Sequence, residues 1–115
     1  MNVIVHICQR QKWEEALKQG LYESDSLRES GFIHASHPEQ VVQVANNIFS
    51  TLPDLVLLWI DPNKVRSEIR EEYGSEEDKS EIFPHIYGPL NLEAVISVQD
   101  FYPDADGVFR HLPLK

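Results

Sequence analysis

Residues 55–60 (LVLLWI) place the strongest limit on how this chain folds. Side chains of a strand point alternately to its two sides, so six consecutive apolar residues are typical of a strand that is covered on both faces. The run is much shorter than the roughly 20 apolar residues that a membrane-spanning helix needs. The sequence therefore predicts a central β-strand with structure packed on both sides, and no membrane partner.

Two helices and a second buried strand are predicted around this centre. Residues 2–8 (NVIVHIC) are apolar on both alternating faces, which is again typical of a covered strand. Residues 11–19 carry apolar side chains at helical spacing, and Gly20 is a natural stop after them. A second helix is predicted from Ser36 to about residue 50.

The remaining segments give weaker patterns. Residues 31–35 and 94–98 are predicted as strands, and residues 21–30 as an irregular loop. Residues 65–73 are predicted as one helical turn followed by a strand. Two prolines and a glycine in residues 82–90 predict that this segment is not regular throughout. Together the segments indicate an α+β fold with a mixed or antiparallel sheet and two main helices.

Size and charge limit the domain organisation and the classes of partner. The 115 residues are predicted to form one domain, 1–115, and the single cysteine, Cys8, allows no intrachain disulfide. With no signal sequence visible, the chain is expected to be soluble and cytoplasmic. The net charge is −9, of which residues 71–81 contribute −5. An acidic surface repels phosphate backbones, so nucleic-acid binding is disfavoured.

Histidines are the candidate functional residues. The five glycines form neither a dinucleotide-binding GxGxxG motif nor a Walker loop, and no CxxC, HExxH or GxSxG motif is present. His6 lies in the first predicted strand, His34 and His37 flank a strand-to-helix turn, and His85 lies between two prolines. A histidine between apolar neighbours, such as His6, is also compatible with a purely structural role.

The turn at residues 36–39 (SHPE) predicts both a helix start and a ligand site. Ser36 is predicted to cap the helix and Glu39 to complete the capping box. The first amides of a helix favour anions, so His34, Ser36 and His37 are candidates for holding a phosphate or a polar sugar. His34 and His37 also have a metal-like spacing, but without a cysteine partner or a helical pair we expect no metal.

The segment 84–90 (PHIYGPL) is the second candidate site. Two prolines stiffen the backbone around an imidazole and a phenol, and fixed polar and aromatic side chains are what a pocket wall requires. His85 and Tyr87 are therefore candidate ligand-binding residues. His6 and Cys8, two apart on one strand, could form a reactive thiolate pair, although a buried inert thiol is the simpler interpretation.

Residues 31–36 (GFIHAS) with Glu39, and residues 83–90 (FPHIYGPL), resemble the signature of a small, mostly bacterial family designated domain of unknown function 952. Its fold is similar to the split sheet of ADP-ribosyltransferases. That resemblance implies NAD as a substrate or cofactor, with His6 holding a ribose hydroxyl and His34 and Ser36 in a second motif. It further implies Tyr87 as a stacking ring and Glu72, rather than Glu93, as the carboxylate that stabilises the transition state.

Three functional hypotheses stay open at this point. The first is an NAD-dependent transferase with His6, His34 and Glu72 as catalytic residues and Ser36, His37, His85 and Tyr87 as ligand-binding residues. The second is a non-catalytic module that binds a nucleotide or another small ligand. The third is an interaction domain. We expect His6, His34, Ser36 and His85 to line one pocket; the sequence does not determine the oligomeric state or the acceptor.

Overall fold

The apolar run at residues 55–60 forms the middle strand of a three-stranded sheet. The computed structural model of the protein describes residues 2–49, 51–52, 54–74 and 79–113. In it, β4 (Leu55–Ile60) lies between β1 (Ile4–Gln9) and β8 (Val95–Phe101), and both pairings are antiparallel. All six residues of β4 are buried, as predicted. We call this the first sheet.

A second three-stranded sheet carries the histidine segments. It has β6 (Ile82–Tyr87) in the middle, between β3 (Ile33–His34) and β5 (Glu68–Tyr73). An isolated bridge joins the two sheets, in which the backbone amides of Val5 and Ser36 each donate to the other residue's carbonyl at 2.8 and 2.7 Å. A short pair, β2 (Leu21–Tyr22) and β7 (Leu90–Asn91), completes the strands.

All these pairings are antiparallel, so within the described ranges the mixed sheet is not observed and the antiparallel prediction is confirmed. The domain is α+β, with helices α1 (Arg10–Gln19), α2 (Asp25–Ser30) and α3 (Val41–Ile48). Short 3-10 turns span Pro38–Gln40, Pro62–Lys64 and Leu92–Ala94. None of the helices in the described part of the chain combines the length and the apolar character that crossing a membrane requires.

The loop prediction for residues 21–30 is wrong. Leu21 and Tyr22 pair with β7, and α2 follows, its first turn capped by the Ser24 hydroxyl, which accepts from the Leu27 amide at 3.3 Å. No residue of α2 is fully buried, which explains why the segment lacks an apolar stripe. The helical turn expected at the start of 65–73 is also wrong, because the 3-10 turn lies earlier, at Pro62–Lys64.

The core lies on both faces of the first sheet. On one face, Val5, Leu57 and Trp59 pack with Val41 and Ala45 of α3. On the other face, Ile4, Cys8, Leu58, Ala16 of α1, and Ile33 and Ile86 of the second sheet are packed together. The inner face of the second sheet is therefore buried against the first sheet, and its outer face is left to carry polar side chains.

Pro84 lies within the middle strand of the second sheet. Residues 88–89 separate this strand from β7, so the prediction that residues 82–90 are not regular throughout is confirmed. The N–H and C=O of one strand residue point to the same side. The Pro84 carbonyl accepts from the Ala35 amide at 3.1 Å. The Pro84 nitrogen, which has no hydrogen to donate, is therefore also on the side of residue 35, which follows the end of β3. The proline therefore removes no hydrogen bond to β5 and is tolerated.

The helix start is displaced by one residue from its predicted position. His37 is the cap residue; its amide donates to the Gln40 side-chain oxygen at 2.9 Å, and the Gln40 amide donates to the His37 carbonyl. Ser36 is instead a buried partner of Val5 in the bridge between the sheets. The prediction that Ser36 caps this helix is therefore wrong, because strand pairing holds its backbone. The end of the helix predicted at residue 50 lies outside the described residues.

Gln40→Ala should destabilise the protein more than Ser36→Ala. The buried Gln40 side chain accepts from His37 and donates to the Ile82 carbonyl at 2.9 Å, so its loss should cost about 1–2 kcal/mol in the free energy of unfolding. Ser36 makes no side-chain hydrogen bond to another described residue, and its truncation should cost less than about 0.5 kcal/mol. Urea unfolding measures both values. A larger loss of stability in Ser36→Ala than in Gln40→Ala would show that Ser36 is the cap.

Candidate functional site

The outer face of the second sheet gathers residues that are far apart in sequence. Residues directly opposite each other in an antiparallel pair point to the same face. His34 lies opposite His85, and His85 lies opposite Arg70, in the register of the three strands. Alternation along β5 and β6 then adds Glu72 and Tyr87 to this face. Five polar or aromatic side chains thus project away from the core.

Phe32 covers part of this face. Its ring stacks on the His85 imidazole with centroids 4.1 Å apart, and it contacts the rings of His34 and Tyr87 at 4.8 and 5.2 Å. His85 is only 2% exposed as a result, although it belongs to the outer face. Phe32 was not among the predicted site residues, but its position two residues before His34 places it on the same side of an extended chain.

Glu72, His85 and Tyr87 form one hydrogen-bonded group. The Oε1 atom of Glu72 lies 2.9 Å from His85 Nδ1 and 2.5 Å from the Tyr87 hydroxyl. The hydrogen bonds from Tyr87 and then His85 hold the pKa of Glu72 below its ordinary value, so the carboxylate is ionised at neutral pH. An ionised carboxylate only accepts, so Tyr87 and His85 are the donors. The same bond raises the pKa of Tyr87.

Two atoms of this group remain available to a ligand. Neither Glu72 Oε2 nor His85 Nε2 has a hydrogen-bond partner among the described residues. Every fully buried side-chain nitrogen or oxygen in those residues does have a partner, so the unpaired Nε2 keeps some solvent contact although His85 as a whole is buried. Because Nδ1 carries the proton shared with Glu72, Nε2 of the neutral ring is an acceptor.

An open cavity of about 530 Å³ lies over this group. Its wall consists of Phe32, Glu72, Tyr73, Gly74, Lys79, His85 and Tyr87. Arg70 lies beside it, with its guanidinium carbon 4.4 Å from the Tyr87 ring centroid and its nitrogens bonded to Glu68 at 3.0 and 3.1 Å. The wall thus combines three aromatic rings, an ionised carboxylate and a lysine, which is the composition expected of a site for a polar ligand with a flat group.

His34 lies at the edge of this group. Its ring is perpendicular to His85, with centroids 5.4 Å apart. Partial burial lowers the pKa of His34, and charge on His85 lowers it further. His34 therefore acts as a neutral imidazole near pH 7.

His6 is buried behind the site and has no free ring nitrogen. Its Nδ1 donates to the His34 carbonyl at 2.5 Å, and its Nε2 accepts from the Tyr22 hydroxyl at 2.7 Å. Burial lowers the pKa of His6 to about 4. His6 therefore ties β1 to β3 and sets the position of His34 through its backbone. Of the four residues expected to line one pocket, His85 belongs to the cavity wall, whereas His34 lies at its edge and His6 and Ser36 lie outside it.

Three other residues considered from the sequence lie outside the cavity wall. His37 Nε2 is 2.8 Å from Glu71 Oε1, on the side of β5 opposite to Glu72. Glu93 is exposed and pairs with Arg66 at 2.6 Å. Burial raises the pKa of Cys8 to about 12, so a reactive thiolate pair with His6 is not formed. In the described residues no group of three or more histidine, cysteine or acidic side chains is placed to hold a metal ion.

Comparisons with known proteins identify the family of this chain. A family described as "Protein of unknown function (DUF952)" matches residues 7–98. No curated protein matches the chain. The crystal structure of protein CC0527 from Caulobacter crescentus has 33% identity and a TM-score of 0.82, over 94% of this chain and 93% of that one. Its solution NMR structure has 34% identity and a TM-score of 0.74, over 96% and 93%. The chain is therefore a member of the DUF952 family.

Proposed function

We propose that this protein is an NAD-dependent transferase of ADP-ribosyl or a related group, acting in the cavity on the outer face of the second sheet. The observation that carries the proposal is the ionised Glu72 carboxylate. Two donors hold its Oε1 in place, while Oε2 is open to a ligand on a wall of aromatic rings. The resemblance of the family's fold to that of ADP-ribosyltransferases, expected from the sequence motifs, supports the same chemistry.

Glu72 has the properties that cleavage of an N-glycosidic bond requires. As the bond between ribose and nicotinamide breaks, positive charge develops on the ribose ring in an oxocarbenium-like transition state. A fixed carboxylate beside that charge stabilises the transition state more than the ground state, which is the condition for catalysis. The bonds from His85 and Tyr87 orient Glu72 before the ligand arrives, so little reorganisation is needed.

The other residues of the wall suit the rest of the dinucleotide. Phe32 and Tyr87 offer ring faces for nicotinamide, whose positive charge is attracted to aromatic faces and to Glu72. Lys79 supplies a positive charge for the pyrophosphate. In this proposal His6 contacts no ligand, because both of its ring nitrogens bond to protein groups. Its role is to hold the strand that presents His34 and Phe32.

Incubation of the protein with NAD tests the proposal directly. We expect release of free nicotinamide, detected by chromatography, at a rate that an added acceptor increases. NAD and ADP-ribose at about 100 times their Kd should also raise the stability by about 2.7 kcal/mol, seen as a higher melting temperature. An absence of both nicotinamide release and thermal stabilisation would exclude the proposed function.

A second candidate function is a non-catalytic module that binds a nucleotide. The observation in its favour is that the cavity is open to solvent, whereas group transfer benefits from the exclusion of water. A binding module predicts thermal stabilisation by NAD or ADP-ribose without nicotinamide release across a broad panel of acceptors. Release of nicotinamide with any acceptor, or with water alone, would exclude it.

A further inference from the structure

His85 and Glu72 together have the arrangement of a general base with its orienting carboxylate. Glu72 accepts the Nδ1 proton of His85 at 2.9 Å, which fixes the tautomer and the ring orientation. Stacking on Phe32 restricts the imidazole further. The opposite nitrogen, Nε2, is an unpaired acceptor on a ring that lines the cavity. A histidine so held is a candidate general base at its second ring nitrogen.

The charges around His85 favour its acting as a base. From β5, the ionised Glu72 stabilises the imidazolium that forms when Nε2 takes a proton, whereas Arg70 opposes it. Arg70 is already paired with Glu68, which reduces its opposition. From β3, His34 faces His85 as a neutral ring because its own pKa is lowered. Tyr87 on β6 donates to Glu72, and Lys79 lies on the cavity wall.

We infer that His85 is the general base that activates the acceptor, and that the acceptor is a neutral hydroxyl group, of water or of an alcohol. This inference rests on the proposed transferase function. A neutral hydroxyl needs a base because it must lose a proton as it attacks, whereas an anionic acceptor does not.

The proposed reaction transfers the ribosyl group from nicotinamide to the acceptor oxygen. The acceptor oxygen forms a bond to the anomeric carbon of the ribose while its proton passes to His85 Nε2. The bond between that carbon and the nicotinamide nitrogen breaks, and its electron pair leaves with nicotinamide, which becomes neutral. His85 then returns the proton to solvent. Glu72 assists both the proton transfer and the bond cleavage. Its Oε1 atom stabilises the imidazolium of His85, and its Oε2 atom stabilises the positive charge that develops on the ribose.

The test compares a hydroxyl acceptor with one that has no proton to lose. His85→Asn keeps a donor near the Nδ1 position for Glu72 but removes Nε2. With water as acceptor, we expect nicotinamide release to fall by roughly 10²- to 10⁴-fold. Sodium azide should restore most of this loss in the variant and should accelerate wild type little. The matched control, His111→Asn, changes an exposed histidine in the tail and should behave as wild type.

A second measurement on wild type covers the case in which the variant does not fold. The water reaction should be slower in deuterated water than in ordinary water, because a proton moves from the acceptor to Nε2 as the new bond forms, whereas the azide reaction should show no such difference. An active wild type whose water reaction is equally fast in both solvents, or a folded His85→Asn with full activity or without azide rescue, would overturn this inference alone. A wild type that releases no nicotinamide with either acceptor would overturn the proposed function itself.

Discussion

Glu72→Gln is expected to lower the rate of nicotinamide release by about 10²- to 10³-fold, the usual effect of losing one preorganised electrostatic group. Gln has nearly the same shape, and its side-chain oxygen can still accept from His85 and Tyr87, so the geometry at Oε1 should survive. The substitution removes the negative charge that stabilises the transition state. Affinity for NAD should change much less than turnover, because that positive charge on the ribose develops only as the bond breaks.

Glu71→Gln is the matched control for this substitution. Glu71 is the adjacent residue of β5 and pairs with His37 on the other side of the strand, so it carries a similar charge without facing the cavity. Steady-state rates of both variants, with NAD affinity from calorimetry, separate catalysis from binding. A Glu72→Gln variant that binds and turns over like wild type would remove the carboxylate from the mechanism. An equal fall in the rate of nicotinamide release in both variants would indicate a general effect of removing negative charge from the surface.

Acid should destabilise the protein through His6. The pKa of His6 is about 4 in the folded chain and 6.5 in the reference state, because burial disfavours the charged ring. Between these values the unfolded chain binds a proton that the folded chain does not, so stability falls as the pH falls. The contribution of His6 is fully present above pH 6.5, is lost progressively down to about pH 4, and then levels off. At about 1.4 kcal/mol for each pH unit, the loss reaches roughly 3 kcal/mol.

Denaturant unfolding of wild type and His6→Asn between pH 7.5 and 4 measures this contribution. The variant keeps a donor near the Nδ1 position but has no titrating ring, so its free energy of unfolding should fall less steeply with acid. Subtracting the two curves removes the contribution of the carboxylates to the free energy of unfolding, because both proteins have the same carboxylates. His111→Asn, in the exposed tail, should follow the wild-type curve. Parallel curves for wild type and His6→Asn would show that His6 is not a neutral, buried link between the sheets.

The local patterns of the sequence were sufficient for much of the fold. The buried strand at residues 55–60, the strand containing His6 and the helix at residues 11–19, observed as Arg10–Gln19, were predicted, because side-chain alternation and helical spacing are read directly from neighbouring residues. The helix Asp25–Ser30 was missed because it buries no complete side chain and leaves no apolar stripe. The strand through Pro84 was missed because the neighbour that makes a proline tolerable there, the end of β3, is distant in sequence.

The candidate site was predicted in part. His85 and Tyr87 were named from the stiff segment around Pro84, and Glu72 from the family resemblance; the three lie in one hydrogen-bonded group, and their roles stay predictions. Ser36 and His37 were named from a capping pattern. The cap lies one residue later than predicted, at His37, because Ser36 pairs with Val5 in the bridge between the sheets. Phe32, which covers His85, was not named although alternation with His34 would have placed it there.

The sequence by itself determined which segments are buried strands and helices and which residue types are available for chemistry, because both depend on near neighbours along the chain. Only the tertiary structure decided which polar side chains meet. His34, Arg70, Glu72 and His85 share one face because β3 and β5 pair with β6 in a particular register, and a shift of one residue would turn a strand's side chains to the other face. That register depends on packing of Ile33 and Ile86 against the first sheet, a contact between segments far apart in the chain.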